Sequence, residues 1–184
     1  MSAPIKKASP QSQTAVIISG FACIGKSQLS KSQQVNKTTP KGFYKGYKVV
    51  DLDSSGYTVD PITKEKRSTA DFVKHYIAAI LPYKSQKVIL MVSTHQEIRD
   101  EMCKKGLKYT LVYPNIKEKA EWLRRLEKRA GKDSLYNTFD KHWTMFVGGL
   151  DKGYAVESKK GAKRVMLNKD QYLTHVVDGV IGGA

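Results

Sequence analysis

The chain has 184 residues, 40% of them hydrophobic and 27% charged, so it is long enough to bury a core and its composition excludes wholesale disorder. With only two cysteines, no zinc-ligand spacing, no apolar leader and no run apolar enough to span a bilayer, it is predicted to be a soluble cytoplasmic domain. Thirty-two Lys and Arg residues against seventeen Asp and Glu residues leave a net charge of +15, which favours polyanionic partners such as DNA or RNA, although a solubilising lysine-rich surface explains it equally.

Strand-like and helical patterns alternate along the chain. Residues 1–13 are rich in Ser, Pro, Gln and Lys and predict a flexible tail before a single domain at 14–184. Short apolar runs predict five strands, at 15–19, 48–53, 87–92, 107–113 and 163–167. Apolar residues at helical spacing predict helices at 26–34, 69–81, 94–106, 115–130, 134–150 and 168–178, with Ser68, Thr94, Asn115 and Asn168 as capping residues. This alternation predicts a three-layer α/β domain, a parallel sheet with helices on both faces.

Residues 20–27 match the phosphate-binding pattern G-x-x-x-x-G-K-[ST] at every fixed position. They follow a predicted buried strand and lead into a predicted helix, as that motif requires. The glycines let backbone N–H groups point at phosphate oxygens, Lys26 is expected to reach the β- and γ-phosphates, and Ser27 is expected to ligate Mg²⁺. ATP and Mg²⁺ are therefore the expected cofactors. The predicted nucleotide-binding residues are Gly20, Phe21, Ala22, Cys23, Ile24, Gly25, Lys26 and Ser27.

Two carboxylates end the second predicted strand. Asp51 and Asp53 are one residue apart and share a face, at the strand end where parallel sheets place their ligand sites. One could accept a proton from an acceptor hydroxyl while the other reaches Mg²⁺ through water. The alternative is turn chemistry, because Asp-Ser-Ser-Gly at 53–56 is a good turn sequence. His95, after the third strand, either points into the site or belongs to the first turn of a helix.

The order of these features resembles the nucleoside-monophosphate-kinase-like group of P-loop kinases. More narrowly, five segments resemble small P-loop kinases of bacteriophages and some microbes: DLDSS at 51–55, VSTH at 92–95, TLVYP at 110–114, EWLRR at 121–125 with Arg129, and LNKDQYL at 167–173. The resemblance covers about residues 16–177 and implies the sheet order 2-3-1-4-5. The chain departs from the usual pattern because its third strand ends without an acidic residue. Metal organisation then passes to Ser93, or to Asp51 or Asp53.

The resemblance also implies a mobile lid at about 130–142 and arginines that clamp the transferred phosphoryl group. The matching positions are Arg125 and Arg129, whose charge would neutralise the equatorial phosphate oxygens. The alternative is a charged helix face paired with Glu121 and Glu127. The predicted buried stripe of this helix, which leaves the arginines near its edge, consists of Ile116, Ala120, Leu123 and Leu126.

An aromatic and lysine cluster precedes Asp51 and Asp53 in the sequence. Its members are Phe43, Tyr44 and Tyr47, interleaved with Lys41, Lys45 and Lys48. They could stack on bases beside phosphate-contacting lysines, or form a loop that covers the sheet edge.

The function predicted from the sequence is an ATP-dependent kinase that transfers the γ-phosphoryl group to a hydroxyl on a nucleic-acid base or a nucleotide-like acceptor. The net charge and the Asp51/Asp53 pair favour this acceptor. A free (deoxy)nucleoside monophosphate is the alternative, since it needs only a compact pocket. A non-kinase P-loop NTPase and a basic nucleic-acid-binding module are further alternatives, and measured ATP affinity separates the last from the rest.

Overall fold

A six-stranded sheet organises the protein, whose computed structural model describes residues 12–31 and 42–183. The strands are β1 (Val16–Gly20), β2 (Phe43–Tyr44), β3 (Tyr47–Asp51), β4 (Val88–Val92), β5 (Thr110–Pro114) and β6 (Lys163–Leu167). Their order in the sheet is β2-β3-β4-β1-β5-β6. All neighbouring pairs are parallel except β2 with β3.

Within residues 12–31 and 42–183, six α-helices pack against the sheet. They are α1 (Lys26–Lys31), α2 (Thr69–Ile80), α3 (Gln96–Lys104), α4 (Lys119–Ala130), α5 (Ser134–Glu157) and α6 (Leu173–Gly182). Every residue of β1, β4 and β5 is buried. Because successive strand residues point to opposite faces, this burial means that both faces of the central sheet are covered. The α/β prediction is confirmed.

The five predicted strands are present and parallel, and they lie in the expected order relative to one another. The prediction of a purely parallel five-stranded sheet is wrong, because β2 adds a short antiparallel edge strand. Lys45 and Gly46 both have positive φ, of 46° and 79°, and connect β2 to β3 as a two-residue hairpin turn. The aromatic and lysine cluster therefore forms a hairpin at the sheet edge; its Lys41 lies outside the described residues.

Three predicted helix starts are wrong. The helix predicted from residue 115 is α4, which begins at Lys119, while Asn115 caps the preceding 3-10 turn, Ile116–Glu118. The side chain of Ser68 accepts from the Asp71 N–H at 3.1 Å as predicted, but α3 begins at Gln96 with His95 as its N-cap residue. Thr94 stays outside the helix because the backbone of the next residue, His95, is not helical (φ −58°, ψ 132°), and the Thr94 carbonyl accepts a hydrogen bond from the Arg99 side chain. Asn168 does not cap α6, which begins at Leu173. Residues 168–171 form a turn instead, in which Asp170 has a φ of 62°.

The predicted tail at residues 1–13 lies outside the described residues except for its last two positions. Gln13 is tied to the segment before β5, where its Nε2 donates to the Lys108 carbonyl at 2.7 Å and its Oε1 accepts from the Lys108 N–H at 2.9 Å. Within residues 12–31 and 42–183, no helix has the length and apolar character needed to cross a membrane.

A buried ion pair joins α3 to the distal end of α5. Arg99 and Glu157 are 1% and 2% exposed, and Arg99 Nε donates to Glu157 Oε1 at 3.1 Å. Tyr109, which precedes β5, donates to Glu157 Oε2 at 2.7 Å, and Gln96 donates to Glu157 Oε1 at 3.1 Å. Since Arg99 also holds the Thr94 carbonyl, this network fixes the segment between β4 and α3.

Gly153 leaves room for this network, and we expect Gly153→Ala to lower the free energy of unfolding by about 1–3 kcal/mol through overpacking. A Cβ there would lie 2.8 Å from Gln96 Oε1, 2.9 Å from Glu157 Oε1 and 3.0 Å from Arg99 Nη2. The control is Gly149→Ala on the same helix, where a Cβ meets nothing within 4 Å. Its expected effect is a gain of about 0.5–1 kcal/mol. Equal changes in urea unfolding of the two variants would contradict the prediction.

Candidate functional site

One cleft, of about 1380 Å³, lies at the carboxyl ends of β1, β3 and β4. It is lined by the predicted loop residues 20–27 apart from Ile24, which is fully buried in the core. The same cleft is lined by all the other residues predicted to act: Asp51, Asp53, His95, Arg125 and Arg129. Parallel sheets bind ligands at the carboxyl ends of their strands, at the point where the strand order reverses and the loops after two neighbouring strands run in opposite directions. The structure thus brings together residues that the sequence spreads over a hundred positions.

The glycine-rich loop, residues 20–27, has a backbone suited to surround an anion. Cys23 and Gly25 have φ values of 60° and 96°. Positive φ in alternation with ordinary φ turns successive N–H groups toward one side, which is the geometry of anion-binding nests. The N–H groups of Gln28 and Leu29 both donate to the Gly25 carbonyl at 3.1 Å, and this closes the first turn of α1. The contribution of Cys23 to this shape comes from its backbone conformation and does not involve its thiol.

Lys26 lies across the start of this loop. Its Nζ donates to the carbonyl of Gly20 at 2.7 Å and to that of Phe21 at 3.0 Å. Burial lowers the pKa of Lys26, and the negative charge of Asp51 partly offsets that effect. These two carbonyls hold the desolvated ammonium group of Lys26 at the wall of the cleft, where it can meet an anion that enters.

Asp51 and Asp53 have different surroundings. Asp53 caps the 3-10 turn Ser54–Tyr57, where its Oδ1 accepts from the Ser55 N–H at 3.0 Å. The turn interpretation therefore describes Asp53, although its side chain also lines the cleft. Burial raises the pKa of Asp51, against the opposing effect of the nearby Lys26. Asp51 is the carboxylate whose surroundings favour proton acceptance.

Tyr76, on α2, joins the ends of the two neighbouring strands. Its buried hydroxyl donates to the carbonyl of Leu52, after β3, and accepts from the N–H of Ser93, after β4, at 3.1 Å. No local pattern in the sequence gives a signal for this role of Tyr76, which lies within the predicted helix at 69–81. The bonds fix the segment that carries Asp51 and Asp53 relative to β4.

His95 lines the cleft as the N-cap residue of α3, so both sequence interpretations apply in part. Its Nδ1 lies 3.0 Å from Ser93 Oγ, and its ring packs edge-on against Phe72 at 5.3 Å. Burial lowers the pKa of His95, which favours the neutral ring.

The two arginines predicted to clamp the phosphoryl group, Arg125 and Arg129, differ in exposure and in their partners. Arg129 is exposed, lines the cleft and forms no hydrogen bond or ion pair with any residue that the structure describes. Arg125 is only 7% exposed and pairs with Glu121 at 2.7 Å.

The predicted buried stripe of α4 is wrong apart from Leu126. Ile116 and Ala120 are exposed, and Leu123 is half-buried. The other buried residues of this helix are Glu121, Trp122 and Arg125. The reason is that α4 starts only at Lys119 and turns Trp122 toward the glycine-rich loop, where its Nε1 donates to the Ala22 carbonyl at 3.0 Å.

An apolar wall on α5 forms the other side of the cleft, and only its part before residue 143 falls in the predicted lid at about 130–142. Its members are Leu135, Phe139, Met145, Phe146 and Leu150. Phe139 stacks on Phe21 of the glycine-rich loop with ring centroids 5.0 Å apart. Met145 is 60% exposed on this wall. The helix backbone is interrupted at His142 (φ −116°, ψ 18°), the last residue of the predicted lid at 130–142.

The cleft offers oxygen ligands that suit Mg²⁺. Mg²⁺ prefers hard oxygen donors and is commonly held by one or two protein groups together with substrate phosphates. Ser27 Oγ and the carboxylates of Asp51 and Asp53 all line the cleft. Over residues 12–31 and 42–183 there is no cluster of three His, Cys, Asp or Glu side chains that would make an all-protein metal site. The oxygen atoms of Ser27, Asp51 and Asp53 therefore fit a Mg²⁺ ion whose remaining ligands come from substrate phosphates.

The sequence-predicted lysine cluster lies away from this cleft. Lys48 pairs with Val88 at the start of β3, while Asp51 pairs with Met91 at its other end, about 10 Å away at the strand rise. Lys45 is occupied by an ion pair with Asp178 at 2.7 Å. The cleft mouth instead carries Arg124, Lys128 and Arg129 from α4.

Comparisons of the chain with protein-family models, curated proteins and solved structures found no match. The residues of the cleft and their geometry are therefore the basis for a functional proposal.

We expect Asp51→Asn to raise the free energy of unfolding at pH 7. Because burial raises the pKa of Asp51, ionising it costs more in the folded than in the unfolded protein. This cost appears as the pH rises through the ordinary range of a carboxyl group, about 4, and persists at neutral pH. The gain in Asp51→Asn should therefore vanish at pH 3.

Urea unfolding at both pH values measures this effect. Asp53→Asn is the control, since the amide oxygen can still accept from the Ser55 N–H. An equal gain for Asp51→Asn at pH 3 and pH 7 would show that ionisation is not its cause.

Proposed function

We propose that the protein is an ATP-dependent kinase that transfers the γ-phosphoryl group of ATP to a hydroxyl on a nucleic-acid base or a nucleotide-like acceptor. The observation that carries the proposal is the meeting of the glycine-rich loop, Asp51 and Arg129 in one cleft at the carboxyl end of a mostly parallel sheet. Loop N–H groups and an ammonium suit a polyphosphate, a carboxylate suits a hydroxyl, and a free guanidinium suits developing negative charge.

The size and lining of the cleft favour the simultaneous binding of two substrates. Pockets for a single small ligand usually measure roughly 300–1,000 Å³, and this cleft is larger, at about 1380 Å³. One side is polar and cationic, and the α5 side is apolar. An acceptor with a flat apolar surface would suit that wall, which argues for a transferase over a simple NTPase.

In the proposed reaction the acceptor oxygen bonds to the γ-phosphorus, the bond from that phosphorus to the β-phosphate oxygen breaks, and ADP leaves. Asp51 takes the proton of the attacking hydroxyl, as its raised pKa favours. Lys26 and the loop N–H groups hold the β- and γ-phosphates, and Arg129 neutralises the transferred group. Ser27 and Asp53 would hold Mg²⁺, which supplies further charge neutralisation when bound.

A (deoxy)nucleoside monophosphate kinase is the second candidate. The cations at the cleft mouth, Arg124, Lys128 and Arg129, could hold a monophosphate as well as a nucleic-acid backbone. A phosphate acceptor is already anionic and needs no base, so Asp51 separates the two candidates: Asp51→Asn should abolish transfer to a hydroxyl and spare transfer to a phosphate.

The kinase assignment predicts that Lys26→Ala abolishes phosphoryl transfer from γ-labelled ATP while the protein stays folded. The acceptor panel comprises nucleosides, nucleoside monophosphates, and DNA with plain or hydroxymethylated bases. Removing the ammonium should cost several kcal/mol of transition-state stabilisation, a loss of 10³-fold or more. The control is Lys159→Ala, an exposed lysine just after α5. Full transfer by a folded Lys26→Ala protein would exclude the assignment.

The two acceptor classes predict different salt responses. A nucleic-acid acceptor releases condensed counterions when the protein binds its phosphates. The log–log slope of the acceptor affinity against salt concentration is then about −0.9 per phosphate contact on a duplex and about −0.7 per contact on a single strand. A free nucleotide gives a shallow slope. We expect the steep response, and we expect Lys128→Gln at the cleft mouth to reduce the slope by about one contact.

Lys48→Gln is the matched control for this measurement, because Lys48 lies at the opposite end of β3 from Asp51. A flattened slope in Lys48→Gln alone would support the aromatic and lysine hairpin as the contact surface. A shallow slope in the unmodified enzyme would favour the monophosphate kinase.

A further inference from the structure

Arg125 is enclosed between two aromatic rings. Its guanidinium carbon lies 4.1 Å from the ring centroid of Trp122 and 4.0 Å from that of Tyr172, so one ring covers each side. Trp122 is fully buried and belongs to α4, whereas Tyr172 is the N-cap residue of α6. Stacking of arginine on aromatic faces is favourable, and more so when the group is desolvated.

The guanidinium edge is also occupied. Nε donates to Glu121 Oε1 at 2.7 Å and Nη1 donates to the Gln171 carbonyl at 2.9 Å, while Nη2 is buried without a partner among the described residues. Hydrogen bonds from Arg124, and next from Arg125, lower the pKa of Glu121 to about 2, so its carboxylate stays charged at neutral pH. Arg125 cannot extend toward a phosphoryl group without breaking this arrangement.

The stack bears directly on the glycine-rich loop. Trp122 Nε1 donates to the Ala22 carbonyl at 3.0 Å, and the Leu173 N–H, next to Tyr172, donates to the Ile24 carbonyl at 2.7 Å. Tyr172 also packs on Gly25, where a Cβ would lie 3.4 Å from its Cδ1. The loop is thus held from α4 on one side and from α6 on the other.

We infer that Arg125 is a positioning residue, which joins Trp122 to Tyr172 and thereby holds the glycine-rich loop in its phosphate-binding shape. The loop needs such support because Cys23 has a φ of 60°, a conformation that costs a non-glycine residue about 1–2 kcal/mol. The inference assigns Arg125 a different role from the phosphoryl clamp expected from the sequence. Its consequence for ATP binding rests on the proposed function, but its consequence for the loop does not.

The test compares Arg125→Ala with Arg129→Ala, one helical turn apart on α4. The readout is hydrogen exchange of the amides of residues 20–27 in the protein without nucleotide, followed by ATP titration. We expect Arg125→Ala to speed loop exchange at least tenfold and to weaken ATP binding at least tenfold, because local opening becomes easier. Arg129→Ala should leave loop exchange unchanged and act on turnover.

Substitutions at Tyr172 keep the test decisive if Arg125→Ala fails to fold. Tyr172→Phe retains the ring and should keep the exchange of the loop amides slow, whereas Tyr172→Leu removes the stack and should speed that exchange. Arg125→Lys retains the charge beside Glu121 but loses planar stacking, so it should not restore slow exchange.

Unchanged loop exchange and ATP affinity in Arg125→Ala, with lowered turnover, would overturn the inference in favour of a phosphoryl clamp. Unchanged exchange in Tyr172→Leu would also overturn it. If the unmodified protein fails to bind ATP, the proposed function fails, while the exchange comparison still decides the role of Arg125.

Discussion

The position of the site depends on the burial of β1 between β4 and β5. A buried strand must satisfy its backbone groups on both edges, and β1 does so by parallel pairing with Ser19 opposite Val92 and Gly20 opposite Val112. The pairing continues beyond the strand, because the Phe21 N–H donates to the Val112 carbonyl at 2.9 Å. The glycine-rich loop therefore starts from a fixed point. Asp51 is fixed in the same way, through its register opposite Met91 on β4.

Two buried arginines then fix the loops around the cleft from opposite sides. Arg99, paired with Glu157, holds the Thr94 carbonyl of the segment between β4 and α3. Arg125, paired with Glu121, stacks beside the glycine-rich loop. Burying an ion pair carries a desolvation penalty close to its electrostatic gain, so such pairs are weak sources of net stability. Their main consequence here is the placement of backbone that lines the cleft, while Arg129 remains unpaired among the described residues.

Features that depend on neighbouring residues could be predicted from the sequence, and features that depend on distant residues could not. The strands, the Ser68 cap and the glycine-rich loop follow from local apolar runs, capping and backbone freedom, and the structure contains all three. Asn168 looked like a cap, but the start of α6 is set by the bond from the Leu173 N–H to Ile24, in the first strand–helix unit. Likewise, the burial of Arg125 depends on Tyr172, and no pattern within α4 carries that information.

The sheet order has a consequence for the chain during its synthesis. Of the described strands, β1 is the first in the chain, yet both of its partners, β4 and β5, lie many residues later, and Tyr172 and Leu173 come near the end of the described residues. Domains form as their segments emerge, so an apolar Val-Ile-Ile segment must wait with both edges unpaired. Unpaired apolar strands are prone to intermolecular pairing. This strand is therefore exposed to intermolecular pairing until β4 emerges, and the contacts of Tyr172 and Leu173 with the glycine-rich loop can form only after all six described strands have been made.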